Sequence, residues 1–346
     1  MQKIVEPDQH VVDEVERTRW KRFAQTLLKD WRLYVLLIPM LVFLVCFKYL
    51  PIYGILSGFK WGKDLEVQNA DWCGFYWLTA VLDGEQTSSL IFWNAFRNTF
   101  VNSMYGLVFG FPIPIILALL FSEVKNLAYR SFLQVAAYLP HFVSMIVVTT
   151  ILTLWADGPD GTQGIIYNIV DAFGGAVTDS GQVFTTSVLS QPKFFRPIYQ
   201  VSGVWEGAGY GSIVYFAAIL AISPTSYEAA RIDGATKLQQ IRYVTFPGMA
   251  PTLTIMLITR IGHILNVGYE KVILLTENKP SSWENAQVIS SYVYYMSGRS
   301  TVYNQIVTNT YSQVGIVMDL FNALIAMVLV LGANAISRRV SSTSLF

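Results

Sequence analysis

Apolar residues along the chain gather into runs of about 20 or more, long enough to cross a hydrocarbon core about 30 Å thick. Polar residues, glycine and proline fill the intervals. The runs predict six spans, at Leu33–Ile55, Thr99–Phe121, Phe132–Trp155, Ile198–Ile222, Thr252–Leu275 and Val314–Ile336. The fourth is rich in glycine and carries Glu206. A charge at that depth is costly, so this span is expected to face protein or a watery cavity rather than lipid. Ahead of the first span, Trp20, Phe23, Ala24, Leu27, Leu28 and Trp31 recur at helical spacing, with Arg19, Lys21, Arg22 and Lys29 off that stripe. This predicts either a helix lying on the inner leaflet, with membrane lipid as its partner, or a cytoplasmic extension of the first span. The expected organisation is a cytoplasmic segment over 1–31, a six-helix domain over 32–340 and a tail over 341–346.

Composition agrees with an all-α, polytopic membrane protein. Charged residues make up 14% of the chain, where a soluble domain carries roughly a quarter. The net charge of +1, without a dense Lys/Arg tract, argues against a nucleic-acid partner. The two cysteines, Cys46 and Cys73, rule out a disulfide scaffold and are expected to be unpaired. Basic residues crowd one side: Arg17, Arg19, Lys21, Arg22, Lys29 and Arg32 before the first span, Lys125 and Arg130 in the second loop, Arg231, Lys237 and Arg242 in the fourth, Arg338 and Arg339 after the last. Both termini are therefore expected in the cytoplasm, with the first, third and fifth loops outside. No cleavable signal peptide is expected, because a long polar stretch precedes the first apolar run.

Candidate chemistry is sparse. Gly62-Lys63 is followed by Asp64 and lacks the glycine of a phosphate loop, so the chain is not expected to bind ATP itself. There is no His-Glu-x-x-His and no Gly-x-Ser-x-Gly, and the histidines His10, His141 and His263 are scattered. Neither a catalytic set nor a metal site is expected. Asp157–Gly164 lacks the alternating acids of a calcium loop and reads as a turn. Gly203, Gly207 and Gly211 recur every four residues and predict close packing of another helix. Glu206 and Arg260 are expected to line a cavity or to pair, while Glu270 and Lys271 are close enough to the outer end to snorkel. The candidates for a substrate pathway are Trp205, Glu206 and Tyr210 on the fourth span and Arg260, Asn266 and Tyr269 on the fifth.

The fourth loop with its flanks, 223–251, is the most informative segment. Ser223-Pro224-Thr225 opens a short helix, Asp233-Gly234 breaks it at a turn expected to need positive φ, and a second helical stretch runs from Ala235 until Pro247. An ordinary helical hairpin is the plain reading. Glu228-Ala229-Ala230, Asp233-Gly234-Ala235 and Val244-Thr245-Phe246-Pro247 together resemble the EAA signature of ABC importer permeases. Gly110-Phe-Pro-Ile-Pro114, Tyr138-Leu-Pro-His-Phe142, Ile264-Leu-Asn-Val-Gly-Tyr-Glu270 and Asn334-Ala-Ile-Ser-Arg338 are similar to the LplB-type oligosaccharide branch. The resemblance implies the type I importer permease fold in a bacterial plasma membrane. It also implies alternating-access import of an oligosaccharide without any bond change. Glu228, Ala229, Ala230, Asp233, Gly234, Ala235 and Pro247 would then couple the chain to two copies of a cytoplasmic ATPase that hold ATP and Mg, beside a second, homologous permease. An extracellular, lipid-anchored binding protein would deliver the sugar. A permease for a non-sugar solute and an ATPase-independent secondary transporter are the competing expectations.

Overall fold

The computed structural model describes residues 29–61, 71–83, 87–157, 164–173, 188–265, 267–276, 283–296 and 312–340. The basic-aromatic helix expected before Trp31 and most of the Asp157–Gly164 turn lie outside them. All named elements of the described residues are helical, and the single strand-like feature is an isolated bridge between Lys60 and Trp72. The chain divides into two units, 1–57 and 58–346.

In the first unit, α1 (Trp31–Leu44) continues through a π turn at Val45–Tyr49 into a 3-10 stretch. An 18-residue window of the run Trp31–Phe59 has mean hydropathy 2.3, and no residue of α1 is buried. A helix apolar on every side suits lipid contact.

In the second unit, α2 (Tyr76–Leu82) precedes a long pair, α3 (Thr87–Val108) and α4 (Pro112–Glu123), within one apolar run, Ser89–Glu123. This span starts ten residues before the expected Thr99. Hydropathy misses its first turns because they carry Asn94, Asn98 and Asn102, yet Asn98 is fully buried and bonded. Its amide donates to the carbonyls of Glu284 (2.8 Å) and Gln287 (3.0 Å).

The expected third span is broken. α5 (Leu127–Tyr138) passes through a 3-10 turn at Leu139–Phe142 and meets α6 (Met145–Asp157) at 92°. Pro140 occupies the start of that turn, and Val143 is extended, which interrupts the helical bonding. After α7 (Ile165–Ala172), α8 (Pro192–Leu220) forms the fourth span, and α9 (Pro224–Ile232) leaves it at 69°.

The fifth span is shifted. α10 (Lys237–Gln240), a π turn at Ile241–Thr245 and α11 (Phe246–Gly262) form one continuous run, Lys237–Gly262. The second helix of the loop therefore does not end at Pro247. The π turn just before it takes up the backbone spacing that a proline, lacking N–H, would otherwise break. Beyond Gly262 the chain turns before α12 (Tyr269–Thr276), so Thr252–Leu275 is not one helix. α13 (Trp283–Ala286), α14 (Ile289–Tyr294) and the last span, α15 (Ser312–Val340), complete the fold. By length and apolar character, four helices among the described residues can cross a membrane, or six if each bent pair counts as one span.

Three apolar clusters hold this unit together. Trp77, Phe92, Tyr292 and Met318 join α2, α3, α14 and α15. Tyr167, Leu189, Phe195 and Leu275 join α7, the start of α8 and α12. Ile115, Tyr215, Ile219 and Met249 join α4, α8 and α11. The short helices of the third and fifth loops are thus folded into the core.

The closest backbone approach on α8 falls at Gly209. A Cβ there would run into the Ala137 carbonyl of α5, whereas one at Gly207 would meet nothing within 4 Å. The expected packing stripe of Gly203, Gly207 and Gly211 is met at Gly211, where a Cβ would touch Pro114 of α4 at 3.5 Å, while the tightest approach lies on another face. Gly209→Val should cost about 2–3 kcal/mol of stability through backbone overpacking. Gly207→Ala should be near neutral, as read by thermal unfolding of the two variants side by side.

Candidate functional site

Two features stand out, a polar cavity within the second unit and the exposed helix α9. The cavity, about 650 Å³, is bounded by α3, α8, α11 and the turn into α12. α8 contributes Tyr199, Gly203, Glu206, Gly207, Gly211 and Tyr215; Gly203 and Gly207 hollow the wall, while Gly211 lies against Pro114 of α4.

Glu206 forms an ion pair with Lys271 on α12, Nζ to Oε2 3.2 Å, with side-chain exposures of 18% and 6%. Lys271 also lies 5.4 Å from the centre of the Tyr199 ring. Lys271 therefore does not snorkel outward; the turn after Gly262 points it inward, where a buried ammonium needs an acidic partner. Arg260 reaches across to α3, where its Nη2 donates to the Gly106 carbonyl at 2.9 Å. A Cβ on Gly110 would lie 2.5 Å from the same nitrogen. The two glycines at the α3–α4 junction make the recess that holds the guanidinium. Gln200 donates to the Asn102 carbonyl (2.8 Å), and the Ser103 hydroxyl donates to the Ile264 carbonyl, so the walls are cross-braced.

Of the substrate-pathway candidates read from the sequence, Glu206 and Arg260 line this cavity, and the other described ones lie off it. Trp205 is exposed on a different face of α8. Tyr210 stacks on His141 at 4.0 Å, and Tyr269 on Tyr294 at 5.2 Å. Asn266 lies outside the described residues. Sequence reasoning missed Lys271, Tyr199, Gln200 and the Gly106/Gly110 recess. The spacing of Tyr199, Gly203 and Glu206 on one helical face would have found the first wall. No local signal pairs Lys271 with a residue 65 positions away.

α9 is built from local signals. Pro224 occupies its first turn, and no residue of the helix is buried. Its end is a Schellman motif: Gly234 N–H donates to Arg231 O at 3.0 Å and Ala235 N–H to Ala230 O at 2.9 Å, with Gly234 at φ +75°. Thr236 and Gln239 then form a capping box that opens α10. Tyr227 and Thr245 share a hydroxyl bond at 3.1 Å, and Lys237 pairs with Glu123 at 2.7 Å, so both halves of the turn are tied to the ends of spans. Glu228, Ala229 and Asp233 are exposed, Ala230 and Ala235 are half-buried, Pro247 lies at the start of α11, and Ile232 is 86% exposed. Glu228 has no ion pair among the described residues. Because a Cβ on Gly234 meets nothing within 4 Å, the penalty of a substitution is purely conformational. Gly234→Ala should cost about 1 kcal/mol, and Gly234→Asn less. Hydrogen exchange over 224–236 should therefore quicken about fivefold in the alanine variant.

Residues 110–342 match the family described as binding-protein-dependent transport system inner membrane component. LplB of Bacillus subtilis (strain 168) is 32% identical over 320 residues, covering 92% of each chain. The polygalacturonan/rhamnogalacturonan transport system permease protein YteP of the same organism is 30% identical, covering 99% of this chain and 100% of its own. Among solved structures, a bacterial ABC transporter involved in the import of the acidic polysaccharide alginate matches with a TM-score of 0.75 and 36% identity. That match covers 93% of this chain and 100% of the other. A bacterial alginate ABC transporter in complex with alginate pentasaccharide-bound periplasmic protein matches with a TM-score of 0.76 and 36% identity. The chain therefore belongs to the binding-protein-dependent inner membrane components, as a multi-pass, non-enzymatic permease of ABC importers with their all-α type I fold.

Proposed function

We propose that this permease forms half of the translocation pathway for an oligosaccharide, opening alternately to either side of the membrane while separate ATPase subunits supply the energy. The observation that carries the reading is α9: a helix with no buried residue, closed by its own Schellman motif and tied to span ends on both sides. An element of that kind can transmit the closure of two ATPase subunits, because it moves with the spans instead of deforming. Glu228, Ala229, Ala230, Asp233, Gly234, Ala235 and Pro247 form or position the contact surface. ATP and Mg are held by the ATPase, and both termini face the cytoplasm with it. A second, homologous permease supplies the other half of the pathway.

The sugar class is supported by the relatives, whose names carry polygalacturonan, rhamnogalacturonan and alginate, and by a cavity with aromatic and hydrogen-bonding walls. The neighbour solved with a periplasmic protein supports delivery by a binding protein, which in this reading is extracellular and lipid-anchored. The test is to purify the tagged chain from its native host in mild detergent and identify stoichiometric partners by mass spectrometry. An ATPase and a second permease of similar size are expected. Recovery of the chain alone, with transport that survives ATP depletion at a maintained ion gradient, would sink the reading.

A further inference from the structure

We propose that the transported oligosaccharide is anionic, with carboxylate groups held by Arg260 in the cavity and by Arg196 in the one adjoining it. This rests on the oligosaccharide reading above and narrows it. The second cavity, about 630 Å³, lies between α3 and α8 and shares Gln200 and Val204 with the first. The charged side chains lining the two are Lys193, Arg196, Arg260 and Lys271 against the single acid Glu206, which Lys271 already engages. The excess is local, since the whole chain carries only +1.

Arg260 has no ion pair among the described residues; it donates to the Gly106 carbonyl, which leaves most of the guanidinium's five donors for a ligand. Arg196 donates from Nη2 to Asn98 Oδ1 at 2.6 Å, while its buried Nε has no hydrogen-bond partner. Arg196 is half-buried and Arg260 is exposed on its cavity wall, where the glycines at 106 and 110 leave space for the guanidinium, and neither forms an ion pair among the described residues. A ligand carboxylate would supply a counter-charge and match the planar guanidinium in two-point geometry, whereas a neutral hydroxyl would not. Beside Arg196, the Tyr105 and Phe109 rings stack at 6.2 Å and 13° and stand 45% and 50% exposed. They offer an apolar face for the sugar ring while the cations take the acid.

The experiment uses the complete importer in proteoliposomes. Probes are short hydrolysates of polygalacturonate, alginate and glucuronoxylan, their carboxyl-reduced counterparts, and neutral dextrins, with ATP-dependent uptake identified by mass spectrometry. Acidic species should enter, and Arg260→Gln should lower their kcat/KM about 10- to 100-fold, the range for loss of a charged hydrogen bond. Any neutral substrate should be affected far less. Should that variant not assemble, Arg260→Lys takes its place; it keeps the charge, loses the two-point geometry and should fall in between. Exclusive uptake of neutral sugars, or equal losses for acidic and neutral ones, overturns the inference and leaves the importer reading intact. No ATP-dependent uptake of any oligosaccharide overturns both.

Discussion

Glu228→Lys is expected to insert and fold normally yet abolish transport and co-purification with the ATPase. The side chain is exposed and forms no ion pair among the described residues, so the reversal removes nothing from the fold. α9 keeps its proline start, its Schellman end and the Tyr227–Thr245 bond, none of which involves Glu228. At a docked interface, truncating one member of a charge pair costs about 2–5 kcal/mol, and reversing it should cost at least as much. Uptake should therefore fall by about two orders of magnitude or more, while thermal unfolding of the permease stays within about 0.5 kcal/mol of the parent. Wild-type uptake in this variant would remove the coupling role of α9.

Lys271→Met should have the next largest effect, on stability as well as transport. It leaves the Glu206 carboxylate inside the cavity without its partner, and breaking such a pair from one side costs about 3–5 kcal/mol. Glu206→Gln in the same chain should recover most of that loss, because two groups without charge no longer need each other. A double-mutant cycle on the unfolding of the assembled complex measures the coupling directly. Additive losses would mean that the two residues act independently and that the pair does not join α8 to α12.

What was legible in the sequence follows the range of the forces involved. The φ of Gly234 could be foreseen from Asp233-Gly234 because the Schellman motif is closed by residues a few positions apart, Ala230 to Ala235. The glycines of α8 were only partly assigned, with packing found at Gly211 and a cavity wall at Gly207, for the complementary reason. Spacing says that Gly203, Gly207 and Gly211 share a face but not what stands opposite, and a cavity wall and a packing seam use the same pattern. Window hydropathy also averaged across the breaks at Leu139–Phe142 and after Gly262, which join helices that are each apolar.

By itself, the sequence determined the membrane class, the approximate positions of the first, fourth and last spans and the signature of the loop at 223–251, since all of these depend on local composition and on backbone preferences within a few residues. Only the tertiary structure decided that Lys271 turns inward to Glu206 and that Arg260 rests in a recess made by Gly106 and Gly110. Those partners lie 65 and about 150 residues apart, and a charge inside a membrane protein is settled by whatever the fold brings within a few ångströms, which no local pattern encodes.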